Sequence, residues 1–130
     1  MTAGPIEIPY QVGVPVLDVT FRPIGGGSEY RAHAAMVDSG AAFCWVPWGT
    51  ADSYGWVRGQ VPNQTVHTAG ADTTVECFPV HVRCLHFGEI QTNVCEFSDE
   101  SSLKDLALVG RALLKIFVLT LHGPLQRLQV

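Results

Sequence analysis

Asp38, Ser39 and Gly40 lie between two apolar runs, Ala34-Ala35-Met36-Val37 and Phe43-Cys44-Trp45-Val46. A carboxylate at the end of a buried strand is costly unless it is hydrogen-bonded, ionised beside a partner, or sharing a proton with a second carboxylate. Ser39 brings a short hydroxyl that can bond neighbouring backbone. Gly40 permits a positive φ and the close approach of another segment, so the three residues can form a tight loop that presents the acid. Set beside a second carboxylate, such an acid can move protons to and from a water molecule. Taken alone, the tripeptide reads more simply as a strand-ending turn with a solvated Asp.

A second segment changes that reading. Leu108-Val109-Gly110-Arg111-Ala112-Leu113-Leu114 is followed by the apolar run Phe117-Val118-Leu119-Thr120-Leu121. Together the two segments resemble the retropepsins, the retroviral-type aspartic proteases. In that family an apolar strand leads into Asp-Thr/Ser-Gly-Ala, here Val37-Asp38-Ser39-Gly40-Ala41. A later apolar pair leads into Gly-Arg-x-Leu-Leu, here Gly110 to Leu114. Order and spacing both match, and the resemblance runs loosely over nearly the whole chain.

The resemblance implies an all-β fold over residues 1–130: a single-domain closed β-barrel or sandwich with a flap hairpin and one short C-terminal helix. It implies an aspartic endopeptidase with Asp38 as the catalytic acid, supported by Ser39, Gly40 and Ala41, with Gly110 and Arg111 as structural residues beside the site. No cofactor or metal is expected. Aspartic peptidases use two carboxylates and this chain has one Asp-Ser-Gly, so the active form would be a homodimer that shares one proton between two Asp38 residues. Its partners would be protein or peptide substrates, cut between apolar residues. The other reading of the same fold is a catalytically silent domain that binds peptides or dimerises.

Two details refine the expectation. Ala41 follows the motif where two-domain pepsins usually have Ser or Thr, so no hydroxyl from that position bonds the acid, and the rate maximum is expected at about pH 4.5 to 6. Retroviral enzymes commonly place Asp at the position of Ala42, where it pairs with the Arg of Gly-Arg-x-Leu-Leu. With Ala42, Arg111 is expected to find another acid or to face solvent, which would weaken the dimer.

The elements that must position these residues read mostly as strands. Ile6, Ile8 and Tyr10 alternate with polar or Pro positions, as do Leu17, Val19 and Phe21. Gly25-Gly26-Gly27-Ser28 reads as a hairpin turn. Beyond it Tyr30, Ala32, Ala34 and Met36 are expected on one face of a half-buried strand, with Arg31 and His33 on the other. Trp48 to Trp56 is turn-like, with room for one helical turn. Val66-His67-Thr68 and Thr73-Thr74-Val75 flank the small-residue tip Ala69-Gly70-Ala71-Asp72, a β-hairpin. By the resemblance, His67, Thr68, Ala69, Gly70, Ala71 and Asp72 form the flap over substrate, with Gly70 as its tip or hinge. Ser101 or Ser102 caps a turn running to Leu106, Leu106 to Val109 is a strand, and Arg111 to Lys115 is a short helix. The weakly alternating 124–130 segment would be a frayed edge in a monomer. The resemblance implies that both termini interleave between two subunits.

Composition excludes several other classes. At 130 residues, 47% hydrophobic and 15% charged, the chain reads as one globular domain. A net charge of −4 and singly scattered Lys and Arg argue against nucleic acid as a partner. No apolar stretch is long enough to span a bilayer, and Met1 to Pro5 lacks a signal-peptide layout, so a cytoplasmic chain, whole or a segment of something longer, is expected. Cys77-x3-His81-x2-Cys84-x-His86 has the composition of a metal site, but period two puts Cys77 and His81 on one face and Cys84 and His86 on the other. Cys44, Cys77, Cys84 and Cys95 read as buried free thiols of a reducing compartment, although an even count leaves bridges open. Ser39, Cys44, His67 and His81 show no Gly-x-Ser-x-Gly elbow or other nucleophile signature. Asn63-Gln64-Thr65 matches a glycosylation sequon by chance.

Overall fold

In the computed structural model, residues 7–9, 14–68, 71–85, 88–115, 120–122 and 127–129 are described. Alternation in 16–23 and 77–84 produces two long strands, β2 (Val16–Pro23) and β7 (Cys77–Cys84), whose inward residues Leu17, Val19, Phe21, Phe78, Val80 and Val82 are all fully buried. They belong to a closed barrel that also contains β3 (Tyr30–Val37), β4 (Cys44–Val46), β8 (Gly88–Glu96) and β9 (Leu108–Val109). The strand order is β2-β3-β9-β4-β8-β7, with β7 returning to β2. Closure removes the exposed edges that an open sheet of these strands would carry. Ala35, Val37, Cys44, Val46, Val94, Val109 and Leu113 complete the core. Each fully buried Val, Leu or Phe contributes roughly 1.5–3 kcal/mol of transfer free energy.

The connection between β2 and β3 uses Gly25, Gly26 and Gly27, all at positive φ. β3 departs from strict alternation. Its register against β2 jumps from Leu17↔Ala35 to Val19↔Ala32, so two residues of β3, His33 and Ala34, oppose one of β2, Asp18. This bulge inverts the phase: Ala34, expected inside, is exposed, whereas Ala35 and Val37 are buried. On the outer face beside it, Arg31 donates two hydrogen bonds to Asp18, at 3.0 and 2.7 Å. With Val37 turned inward, the next residue, Asp38, leaves the strand on the other side.

Trp48 to Trp56 contains a second short helix in addition to the expected C-terminal one. α1 (Thr50–Tyr54) enters through Gly49 and leaves through Gly55, both left-handed. Trp56 is buried behind it, with its indole N–H on Ser28 O at 2.8 Å and its ring edge-on to Phe78. α2 (Arg111–Leu114) is the expected short helix. Outside the barrel, β5 (Gln64–Thr68) and β6 (Ala71–Val75) form the expected hairpin, paired from Gln64↔Val75 to Thr68↔Ala71. Ala71 and Asp72, expected in the tip, are paired within β6, and the rest of the expected tip, Ala69 and Gly70, lies outside the described residues. β1 (Glu7–Pro9), β10 (Thr120–His122) and β11 (Arg127–Gln129) form a separate sheet with β11 in the middle. The terminal segments therefore pair with each other within one chain rather than standing as frayed ends. No helix among the described residues is long and apolar enough to cross a membrane.

Glu96 is the one buried carboxylate of the barrel among the described residues. It accepts a hydrogen bond from Ala51 N–H at 2.8 Å, satisfying an amide of the first turn of α1. Burial pushes its carboxyl above the ordinary range, and Glu76 and Asp52 add to the rise against the opposing effects of the Ala51 amide and Arg58. The folded protein thus holds this proton more tightly than the unfolded chain. The resulting stabilisation is full below the ordinary carboxyl range and is lost as pH rises through the higher folded value. Glu96→Gln, which keeps an oxygen acceptor for Ala51, is expected to lose less stability than wild type between about pH 4 and pH 7. Urea midpoints across that range check this, and parallel curves for the two proteins would contradict it.

Candidate active site

The site begins with a parallel pairing. β3 and β9 run side by side in the register Met36↔Leu108 and Val37↔Val109, so Asp38 and Gly110 leave the barrel together. Asp38 N–H donates to Val109 O at 3.0 Å. The chain then turns back through Ala41 N–H on Asp38 O at 3.2 Å, and Gly40 N–H donates to Asp38 Oδ1 at 2.9 Å. The carboxylate is therefore fixed by its own loop, in the manner of an Asx turn. Asp38 is half-buried, and its Oδ2 has no partner among the described residues.

Of the two freedoms a glycine permits at position 40, Gly40 does not use the positive φ. Its role is space, since a Cβ there would lie 3.2 Å from Asp38 Oδ1. Gly110 is more tightly held. A Cβ on it would overlap Phe43 O and fall 2.6 Å from Ala41 O. Without one, the start of α2 closes onto the Asp38 loop, with Arg111 N–H on Ala41 O at 2.8 Å and Ala112 N–H on Ala42 O at 3.1 Å. Leu113 anchors the helix in the core.

Arg111 pairs with no acid among the described residues and is exposed, as one of the two expectations had it, yet it is also held by the loop. Its Nη1 donates to Ser39 O at 3.1 Å and Gly40 O at 3.3 Å. With Ala42 unable to accept, the guanidinium satisfies backbone carbonyls of the loop itself. Ser39 and Gly40 are exposed at this end.

Asp38, Gly40, Ala41 and Arg111 open into a cleft of about 860 Å³. Its apolar wall comprises Phe43, Trp45, Val66, Val75, Phe97 and Leu108, with the Trp45 and Phe97 rings stacked at 4.6 Å between centroids. The loop from Ser98 to Leu103 supplies a polar margin that includes Glu100. These walls were not apparent in the sequence. The available signal was the spacing of Trp45, two residues beyond Phe43 on a strand leading away from the acid.

The hairpin contributes to the same cleft through Thr65, Val66, His67, Thr73 and Val75. Of the expected flap residues, His67 borders the cleft. Asp72 is its cross-strand partner, with His67 Nδ1 and Asp72 Oδ1 2.6 Å apart. Thr68 and Ala71 pair through their backbones, one step from the tip.

Other chemistry fits less well. Cys44 is fully buried, and burial pushes its thiol up, against a nucleophilic role. His81 sits beside Glu89 at 3.0 Å, and Cys77 faces Cys95. Among the described residues no group of three or more His, Cys, Asp or Glu is arranged to hold a metal. His86 of the Cys77-x3-His81-x2-Cys84-x-His86 pattern lies outside them.

In comparison with solved structures, the chain is similar to a retropepsin-like aspartic protease from Rickettsia conorii. The TM-score is 0.60 at 20% sequence identity, and the match covers 97% of this chain and 90% of that one. No family model and no curated protein sequence matches the chain. The fold is accordingly retropepsin-like, with the closed six-stranded barrel and short helix after β9 in place. Gly110→Ala is expected to lower stability by about 1–3 kcal/mol or more, because backbone carbonyls rather than pliable side chains meet the new methyl. An unchanged urea midpoint would contradict the close approach described.

Proposed function

We propose that the chain is one half of a homodimeric aspartic endopeptidase, with Asp38 of each copy forming the catalytic pair. The observation that carries this reading is the held carboxylate: Asp38 is braced by Gly40 N–H and β9 at the edge of a peptide-sized, apolar-walled cleft. The likeness to a retropepsin-like aspartic protease supports it. The cleft's other carboxylate, Glu100, belongs to an exposed loop without such bracing. A second copy of the same loop, related by a twofold axis, is the natural source of a matching acid.

Two such carboxylates, about 3 Å apart, cannot both ionise and share one proton. A water held between them loses a proton to the ionised carboxylate as its oxygen attacks the peptide carbonyl carbon. The protonated carboxylate donates to the carbonyl oxygen, giving a tetrahedral diol. Collapse of the diol breaks the C–N bond and passes a proton to the departing amine. No covalent intermediate or cofactor enters. Ser39 braces the paired loops, and Gly40 O offers a remaining lone pair to the substrate backbone beside its bond from Arg111. The hairpin of His67, Thr68, Ala69, Gly70, Ala71 and Asp72 acts as the flap, bonding an extended peptide from above. Phe43, Trp45, Val66 and Phe97 favour apolar side chains flanking the cut.

The test is cleavage of a diverse peptide mixture by wild type and Asp38→Asn between about pH 3 and pH 7, with products mapped by mass spectrometry. Wild type is expected to cut between apolar residues, with a maximum at about pH 4.5 to 6, and the variant to lose at least about 10²–10⁴-fold in rate. Specific activity should fall on dilution. A well-folded dimer that cuts nothing would leave the peptide-binding or dimerisation reading in its place, and a maximum below about pH 3 would contradict the proposed dyad.

A further inference from the structure

Cys77 and Cys95 are directly opposed across β7 and β8, and their sulfurs stand 3.5 Å apart. The adjoining pair, Glu76 and Glu96, is joined through Glu96 N–H on Glu76 O. In an antiparallel ladder that makes Cys77 and Cys95 a non-hydrogen-bonded pair, the kind with the closest Cα atoms and convergent side chains. A disulfide needs sulfurs about 2 Å apart on opposed residues, which side-chain rotation alone can supply from this starting point. We propose that Cys77 and Cys95 are a reversible dithiol–disulfide site, closed by a hydroperoxide and reopened by a small thiol.

The environment assigns different roles to the two sulfurs. The 3.5 Å sulfur contact with Cys95, helped by the Gln64 backbone, draws the Cys77 thiol below its ordinary range despite burial. The same contact, together with burial, pushes Cys95 up. Cys77 is also the less enclosed residue, 3% exposed against 0% for Cys95 and two residues from the hairpin strand's end at Val75, and it is placed as the attacking sulfur. Its thiolate attacks the distal oxygen of the hydroperoxide, forming the S–O bond as the O–O bond breaks, and the thiol's proton passes to the leaving alkoxide. The alkoxide leaves as an alcohol once protonated, and Cys77 becomes a sulfenic acid. Cys95 sulfur then attacks Cys77 sulfur, forming the S–S bond and releasing the hydroxyl as water with the Cys95 proton. Two thiols lose two electrons in all, and the hydroperoxide is reduced to alcohol and water.

Both thiols are buried in a small cluster with Val75, against which Phe43, Trp45, Val61 and Val66 pack. Part of that cover is the β5–β6 hairpin, a two-stranded sheet outside the barrel. Local opening of such an element is less costly than opening the barrel, which gives a small oxidant a path. The ladder partners of Cys44 and Cys84 are instead Val94, and Val19 and Gly88. A Cys77–Cys95 bridge would tie β7 to β8 directly behind Phe43, Trp45 and Val66, all of which line the cleft. The redox state of the pair would thus set the stiffness of that wall, whatever reaction the cleft performs.

The native chain is treated with hydrogen peroxide, unfolded in an alkylating agent and mapped by mass spectrometry. The expected product links the Cys77 and Cys95 peptides with loss of two hydrogens, while Cys44 and Cys84 alkylate fully. Dithiothreitol restores four alkylated thiols. In Cys95→Ala a 1,3-dione probe is expected to trap sulfenic acid on Cys77. Peroxide should raise the thermal midpoint of wild type, and reductant should reverse the rise. Full alkylation of Cys77 and Cys95 after peroxide, or a bridge involving Cys44 or Cys84 instead, would overturn the proposal. These readouts need no peptidase activity, so they stand or fall separately from the proposed function.

Discussion

The site depends on one contact between backbones. Parallel pairing of Val37 with Val109 delivers Asp38 and Gly110 to the same end of the barrel. The missing Cβ of Gly110 then lets α2 close onto the carbonyls of Ala41 and Phe43. Two amide hydrogen bonds follow from that approach, those of Arg111 and Ala112, and with Asp38 N–H on Val109 O they join two segments far apart in sequence. Asp38 is held by rigid neighbours rather than by a free loop, as a proton-transferring group requires. The barrel is what makes the pairing rigid, because both strands are buried on its inner side by Ala35, Val37, Val109 and Leu113.

In the proposed homodimer, the chain would supply half of a symmetric arrangement around this contact. Arg111 spans the carbonyls of Ser39 and Gly40, so the loop is braced within one copy without the acid that the family places at the Ala42 position. That leaves less for an ion pair to contribute to dimer formation. The terminal strands point the same way, since β1, β10 and β11 already pair within the chain and any dimer sheet must add to its edges. The apolar wall of Phe43, Trp45, Val66 and Phe97 is continuous with the hairpin, so the shape of the cleft and the position of the hairpin depend on the same side chains.

Much of this was legible in the amino-acid sequence for local reasons. Alternation marked β2 and β7, small residues marked the hairpin, and the two short motifs marked Asp38 and Gly110. What local pattern could not supply was the effect of closure. The β3 bulge moved Ala34 out and Ala35 in, because barrel register overrides strict alternation. The partner of Arg111 was hidden because an arginine without an acid can turn to carbonyls, which carry no side-chain signature. The cleft wall was hidden because Trp45 and Phe97 meet only when β4 and β8 pair in parallel. Cys77 and Cys95 read as ordinary core thiols until the β7–β8 register placed them opposite each other.

The most direct test of the central claim, that two Asp38 residues make one site, is the binding stoichiometry of a peptide isostere whose secondary hydroxyl mimics the tetrahedral diol. Titration calorimetry should give one isostere per two chains, with dimer formation coupled to binding and no binding by Asp38→Asn. One isostere per chain, or equal affinity for the variant, would contradict the account.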